Sequence, residues 1–189
     1  MFQAASLLAF FGLLRVSEYT CPSPCRFDPT SHLQVSNISF NANFTMMLVR
    51  IKASKTDPFR QGTTIRLSSL SHRLCPVAAM RNYLQPNLPQ TGPLFVRSNG
   101  QFFTRRQLVT LLNLALPNVP NINTHSFRIG GASAALSSGA SDSMIRSLGR
   151  WTSDCYLRYL RISDNDIHHF QSRIASLTLT STIWDPDKW

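Results

Sequence analysis

Apolar positions run almost unbroken from Ala4 to Leu14 and give way to polar ones at Arg15, Ser17 and Glu18, which predicts a buried helix over residues 3–18. Pro22, Pro24 and Pro29 close it off. Residues 44–52 and 63–67 are rich in β-branched and large apolar side chains and predict two strands. The turn-rich stretch 53–62 between them would make an antiparallel β-hairpin whose tip carries Lys55 and Arg60. Helical apolar spacing then covers 74–84 and 104–115, separated by a Pro- and Gly-containing loop at 86–100. Thr124 or Ser126 can cap a helix over 127–138 that Gly139 ends. Shorter helices are expected near 141–148, 153–162 and 164–177, with 178–189 as a loose C-terminal tail. The expected fold class is α+β, mainly α, with a small antiparallel hairpin or sheet, in one domain over 1–177.

The N-terminal run could pass for a signal-peptide core, but no basic residues precede it and no small-x-small cleavage site follows. It also falls short of the roughly 20 apolar residues a bilayer span needs, so a buried helix is the better reading and no membrane partner is expected. The 189-residue chain is 43% hydrophobic, enough for a sizeable core. Charge adds a direction: 19 Lys and Arg against 9 Asp and Glu leave +10, within a charged fraction of only 15%. Few acids and many bases on a compact core point to a polyanionic partner, nucleic acid or an anionic membrane surface. Cys21, Cys25, Cys75 and Cys155 are too few and too scattered for a disulfide scaffold. Cys21-Pro-Ser-Pro-Cys25 has no second Cys/His pair at zinc-ligand spacing, so no metal site is expected. The triplets Asn37-Ile38-Ser39 and Asn43-Phe44-Thr45 leave a secreted, glycosylated basic protein as a minor alternative.

Candidate chemistry begins at His125-Ser126-Phe127-Arg128, where a His and an Arg three apart at a helix start face the same side. The helix N-terminus there offers free N–H groups and partial positive charge, a plausible phosphate site. Small residues follow at Gly130-Gly131-Ala132-Ser133-Ala134-Ala135 and allow close helix packing. Leu148-Gly149-Arg150-Trp151 and Tyr156-Leu157-Arg158-Tyr159-Leu160-Arg161 come after it, while Leu13-Leu14-Arg15-Val16-Ser17-Glu18 and Ser54-Lys55-Thr56 stand upstream. In this order and rough spacing, from about residue 7 to 162, the chain resembles the catalytic domain of the tyrosine recombinases, the phage-integrase family. Those enzymes combine an early Arg, a hairpin Lys, a His-x-x-Arg, a Leu-Gly-His/Trp and a late Tyr. The wording from Gly149 to Asp154 is most similar to recombinases of eukaryotic mobile elements such as DIRS-type retrotransposons and Cryptons, which implies a nuclear location for such an element and a cytoplasmic one otherwise.

The resemblance implies DNA strand cleavage and rejoining through a 3′-phosphotyrosyl intermediate. Arg15 and Arg128 would clamp the non-bridging oxygens of the scissile phosphate. His125 would add a hydrogen bond or move a proton, Lys55 would protonate the leaving 5′ oxygen, and Glu18 would orient Arg15 or His125. Lys52, Arg60, Arg105, Arg106, Arg150, Arg158 and Arg161 would contact DNA. Double-stranded DNA is the implied partner, with no cofactor and no small-molecule substrate, and the family works as synaptic tetramers. Family members clamp the duplex between two domains, so this chain would be the catalytic half alone.

Two departures stand out. Arg150 occupies the place directly after Leu148-Gly149 where the family has His or Trp, and Trp151 comes next, so either could fill the slot that buttresses the phosphate. Tyr156 and Tyr159 lie one helical turn apart and could face one groove; Tyr159-Leu160-Arg161 fits the family's spacing better and Tyr156 is the runner-up nucleophile. A descendant that binds DNA without cutting it is the alternative to an active enzyme.

Overall fold

A computed structural model describes residues 1–53, 57, 59, 61–84 and 91–180. The chain begins with α1 (Phe2–Phe11), whose Ala4, Ala5, Leu7, Leu8 and Ala9 are buried, as the unbroken apolar run requires. The single helix expected over 3–18 is instead two. Gly12 ends α1 and Leu13 turns left-handed at φ 46°, so Arg15 starts a separate one-turn helix, α2 (Val16–Tyr19). Packing explains the break: a Cβ on Gly12 would lie 2.7 Å from the Leu8 carbonyl oxygen and 2.8 Å from Ile65 Cδ1. The turn also brings Leu13 and Leu14 into two different apolar clusters.

The hairpin forms, but a third strand joins it. β1 (Ile38–Phe40), β2 (Met46–Ile51) and β3 (Thr63–Ser68) make an antiparallel sheet in that order, with Val49 opposite both Ile38 and Ile65. Alternation along β2 sends Met47, Val49 and Ile51 inward and leaves Arg50 exposed. At the base of the tip, the Asp57 carboxylate accepts from the Gln61 and Gly62 backbone N–H groups at 3.1 and 2.7 Å. Lys55 and Arg60, in the tip itself, lie outside the described residues.

The described chain after the sheet is mainly helical. α3 (Pro76–Tyr83) begins with proline at its first position, where no N–H is needed. α4 (Arg105–Ala115) opens on a capping box between Thr104 and Gln107. α5 (Ser126–Ser137) starts at His125, so neither Thr124 nor Ser126 is its cap. Instead the preceding turn is tied by Asn123, whose side chain accepts from the His125 N–H at 2.8 Å while its own N–H reaches Ser126 Oγ at 3.0 Å. α6 (Asp142–Gly149) is capped by Ser141. The stretch read as a helix over 153–162 is a 3-10 helix, Asp154–Tyr159. A final helix, α7 (Asp164–Thr180), starts from a reciprocal Ser163–Asp166 pair and runs past the expected end at 177; residues 181–189 are not described.

The loop expected at 86–100 contributes to the interior, since Leu94 and Phe95 are buried. They pack with Leu8, Met47, Val49, Met80, Phe103 and Leu108 in the main core between α1, the sheet, α3 and α4. A second cluster of Leu13, Ala132, Ile145, Trp151 and Tyr156 joins α5, α6 and the 3-10 helix. Gly131 lets α5 meet the end of α1: a Cβ there would stand 2.3 Å from the Phe10 carbonyl oxygen. Among the described residues no helix is long and apolar enough to cross a membrane, and Cys21, Cys25, Cys75 and Cys155 are free thiols.

Candidate active site

The end of α1, the start of α5 and the end of α6 converge, and Arg15, Glu18, Arg128, Arg150 and Trp151 meet where they do. Arg128, in the first turn of α5, is 1% exposed. Its guanidinium donates to the Leu13 carbonyl and, at 2.7 Å, to the Gly149 carbonyl. Burial first, then the charges of Arg15 and Arg150, push its pKa down to about 10, so it stays a cation at neutral pH. Buried Glu18 sits between the other two arginines. Its carboxylate lies 3.3 Å from Arg15 Nη1 and 3.0 Å from Arg150 Nη2, and also accepts the Arg15 backbone N–H at 2.8 Å. The carboxylate therefore orients Arg15 and Arg150.

Arg150 closes α6 in a left-handed conformation and turns its guanidinium inward, with the side chain only 8% exposed. Its Nη1 and Nη2 donate to protein oxygens, while its Nε has no hydrogen-bond partner among the described residues. Trp151 lies against Arg128. Its ring lies 4.2 Å from the Arg128 guanidinium carbon, and it fills the space left by Gly149, where a Cβ would be 1.8 Å from the ring.

The two tyrosines flank Trp151 without sharing a groove. Tyr156 is buried, 6.0 Å from the Trp151 ring, and faces Arg146. Burial, then a hydrogen bond with Asp142, push its phenol pKa up. Tyr159 is half-buried on the other side, its ring 5.6 Å from the Arg128 guanidinium carbon, 5.4 Å from Trp151 and 6.3 Å from His125. In the tight 3-10 turn, the Tyr156 ring is buried in the second cluster, while the Tyr159 ring packs at its edge and faces Arg128.

His125 is exposed at the edge of the site. Desolvation of its inner side, then the charges of Arg105, Arg128 and Arg15, hold its imidazole below the usual histidine value. The shift favours the neutral ring. Arg105 and Arg106 are exposed in the first turn of α4, where cations oppose the helix dipole. Arg158 and Arg161 are exposed after Trp151, although Arg161 Nη1 also donates to the Arg158 and Leu160 carbonyls at 2.8 and 2.9 Å. Lys52 is engaged by the protein, donating to the Pro29 carbonyl at 2.8 Å and to Gln34 Oε1. Among the described residues no group of three His, Cys, Asp or Glu side chains is placed to hold a metal ion.

Two contributions went unread in the sequence. Ser133, read only as a small packing residue, donates to the Tyr159 carbonyl at 3.2 Å and accepts the Arg161 N–H at 3.0 Å, tethering the tyrosine segment to α5. Arg105, at the start of α4, acts electrostatically on His125, at the start of α5. Neither leaves a local sequence signal, since both depend on contacts between distant segments.

No family model matches the sequence, and no curated protein matches it significantly. Solved structures do match. XerA recombinase aligns with a TM-score of 0.62 at 18% identity, over 92% of this chain and 59% of its own. XerH site-specific recombinase, in a post-cleavage complex with a palindromic difH substrate, aligns at 0.59 and 12% over 92% of this chain and 45% of its own. The Tn1549 transposon integrase, with circular intermediate DNA, aligns at 0.54 and 15% over 91% and 59%. This chain spans about half the length of these proteins. The shared fold is that of a tyrosine-recombinase catalytic domain, helical with a small antiparallel sheet.

Proposed function

We propose that this chain is the catalytic domain of a tyrosine-type site-specific recombinase, which cuts and rejoins DNA through a 3′-phosphotyrosyl intermediate. The gathering of guanidiniums carries the reading. Arg15 and Arg150 meet on the Glu18 carboxylate, and Arg128 is buried beside them on the Leu13 and Gly149 carbonyls. A phosphodiester brings one negative charge to such a place and its pentacoordinate transition state a second, so cations fixed there favour the transition state over the ground state.

In this scheme Arg15 and Arg128 hold the non-bridging oxygens, and Trp151 supports Arg128 from below. The Tyr159 oxygen bonds to phosphorus as the bond to the 5′ oxygen breaks. Neutral His125 takes up the phenol proton. Lys55 on the hairpin tip protonates the departing 5′ oxygen. The phosphotyrosyl bond retains the energy for resealing, so the scheme calls for neither metal nor nucleotide cofactor.

Double-stranded DNA is the proposed partner, supported by the DNA in the XerH and Tn1549 integrase structures. Exposed Arg105, Arg106, Arg158 and Arg161, together with Arg60, would follow its backbone. The Gly149–Asp154 wording supports an origin in a eukaryotic mobile element of the DIRS or Crypton kind, acting in the nucleus as a synaptic tetramer. A nicked suicide duplex tests the chemistry. The chain should give a protein–DNA band that resists SDS and disappears on protease treatment, and Tyr159→Phe should abolish it. DNA bound at low salt without such a band would mark a binding module that does not cut.

A further inference from the structure

Arg150 stands where the recombinase pattern has His or Trp, and it does so at a backbone cost. Its φ of 57° and ψ of 43° lie in the left-handed region that disfavours any residue with a Cβ. A glycine would close α6 there without strain. What the arginine supplies is a set of ties. Nη1 donates to the Gly12 carbonyl at 3.1 Å and to the Leu148 carbonyl at 3.4 Å. Nη2 donates to the Leu13 carbonyl at 3.3 Å and to Glu18 Oε2 at 3.0 Å. One planar fork thereby joins the turn after α1, the first turn of α2 and the end of α6.

These partners are shared with the proposed phosphate clamp. The Leu13 carbonyl also accepts from Arg128, whose second hydrogen bond goes to the carbonyl of Gly149, next to Arg150. The second oxygen of Glu18 faces Arg15. Arg150 is thus linked to Arg15 through Glu18 and to Arg128 through Leu13.

We propose that Arg150 is a positioning residue. Without touching the phosphate, it acts through Glu18 and the Gly12–Leu13 turn to hold Arg15 and Arg128 at the spacing of two non-bridging oxygens. The inference rests on the transesterification reading. It also explains why lysine would not serve: an ammonium is a point charge and cannot reach the two turn carbonyls and the carboxylate from one plane.

The test compares the chain with Arg150→Gly, Arg150→Lys, Glu18→Gln and the Arg150→Gly/Glu18→Gln double variant. Each is assayed for the rate of covalent complex formation on the suicide duplex at saturating DNA and for its thermal unfolding midpoint. Displacing the clamp by about 1 Å costs roughly 100-fold in rate, so Arg150→Gly should fall by about that factor while remaining folded. Arg150→Lys should recover less than roughly a tenth of the lost rate, because the fork and not the charge is what matters. In the Glu18→Gln background, Arg150→Gly should cost little more. Full additivity of the two rate losses, or full rescue by lysine, would overturn the proposal in favour of a direct contact or a through-space charge. If the unsubstituted chain itself forms no covalent complex, the transesterification reading fails. The unfolding midpoints then decide on Arg150: non-additive shifts are expected, and additive ones would overturn the tie to Glu18.

Discussion

Gly149→Ala is the sharpest probe of how the site is held together. A Cβ at this position would lie 1.8, 2.0 and 2.5 Å from three atoms of the Trp151 ring. The neighbour is a rigid indole, buried and stacked on Arg128 at 4.2 Å, with Tyr159 5.4 Å away on its flank. It has no flexible end that can give way. The overpacking alone should cost about 1–3 kcal/mol. Displacing the ring weakens the cation–π contact, worth ~0.5–2 kcal/mol, and disturbs the aromatic pairs with Tyr156 and Tyr159, worth ~0.5–1.5 kcal/mol each. Because the ring contacts are weakened rather than lost, the total lies toward the low end of these ranges, at about 3 kcal/mol, which corresponds to a midpoint lowered by roughly 6–12 °C for a chain of this size.

Thermal unfolding followed by near-UV circular dichroism reads both the midpoint and the loss of the fixed Trp151 environment. Covalent trapping reads the effect on the clamp, expected at about 100-fold. Gly130→Ala is the control, since its Cβ would meet Phe10 at an ordinary 3.4 Å. In a helix interior that change should be neutral or raise stability by about 0.5–1 kcal/mol. If Gly149→Ala unfolds within about 1 °C of the parent and traps DNA as fast, the packing argument is wrong.

The other expectations concern the same site. Tyr156→Phe should still trap DNA, with about 1 kcal/mol lost with the hydrogen bond to Asp142; a chain that traps through Tyr156 and not Tyr159 would reverse the assignment. His125 should titrate below the ordinary histidine value and move back up in Arg105→Ala, read by NMR. Because its folded pKa is lowered, the unfolded chain binds more protons in that window. Its contribution to stability is therefore complete above the unfolded value near 6.5 and falls away as pH drops through the folded one. Replacing Arg105 or Arg106 by Ala should weaken DNA binding across sequences and reduce the slope of log affinity against log salt by about 1 each; an unchanged slope would remove that arginine from the backbone contacts.

Much of this molecule is legible in its sequence because the signals are local. The β-branched and apolar richness of 44–52 and 63–67 and the Gly139 stop after α5 each act within a few residues, and the structure has these elements close to where the pattern puts them. The order of Arg15, His125, Arg128, Trp151 and Tyr159 along the chain likewise sufficed to expect one site. What the sequence could not decide depends on contacts spanning most of the chain. The break after α1 follows from Ile65 and Gly131 pressing on the Gly12–Leu13 turn. The inward turn of Arg150 depends on a carbonyl 138 residues away, and the seating of Arg128 on one 115 residues away. Spacing favours Tyr159 over Tyr156, but how the two rings lie is a matter of packing: Trp151 stands between them, with Tyr156 buried in the apolar cluster and Tyr159 half-buried at its edge, facing Arg128. Residue order determined which groups could meet. The packing of α5 and α6 against the end of α1 decided how they face one another, since a buried charge takes its direction from the oxygens that surround it.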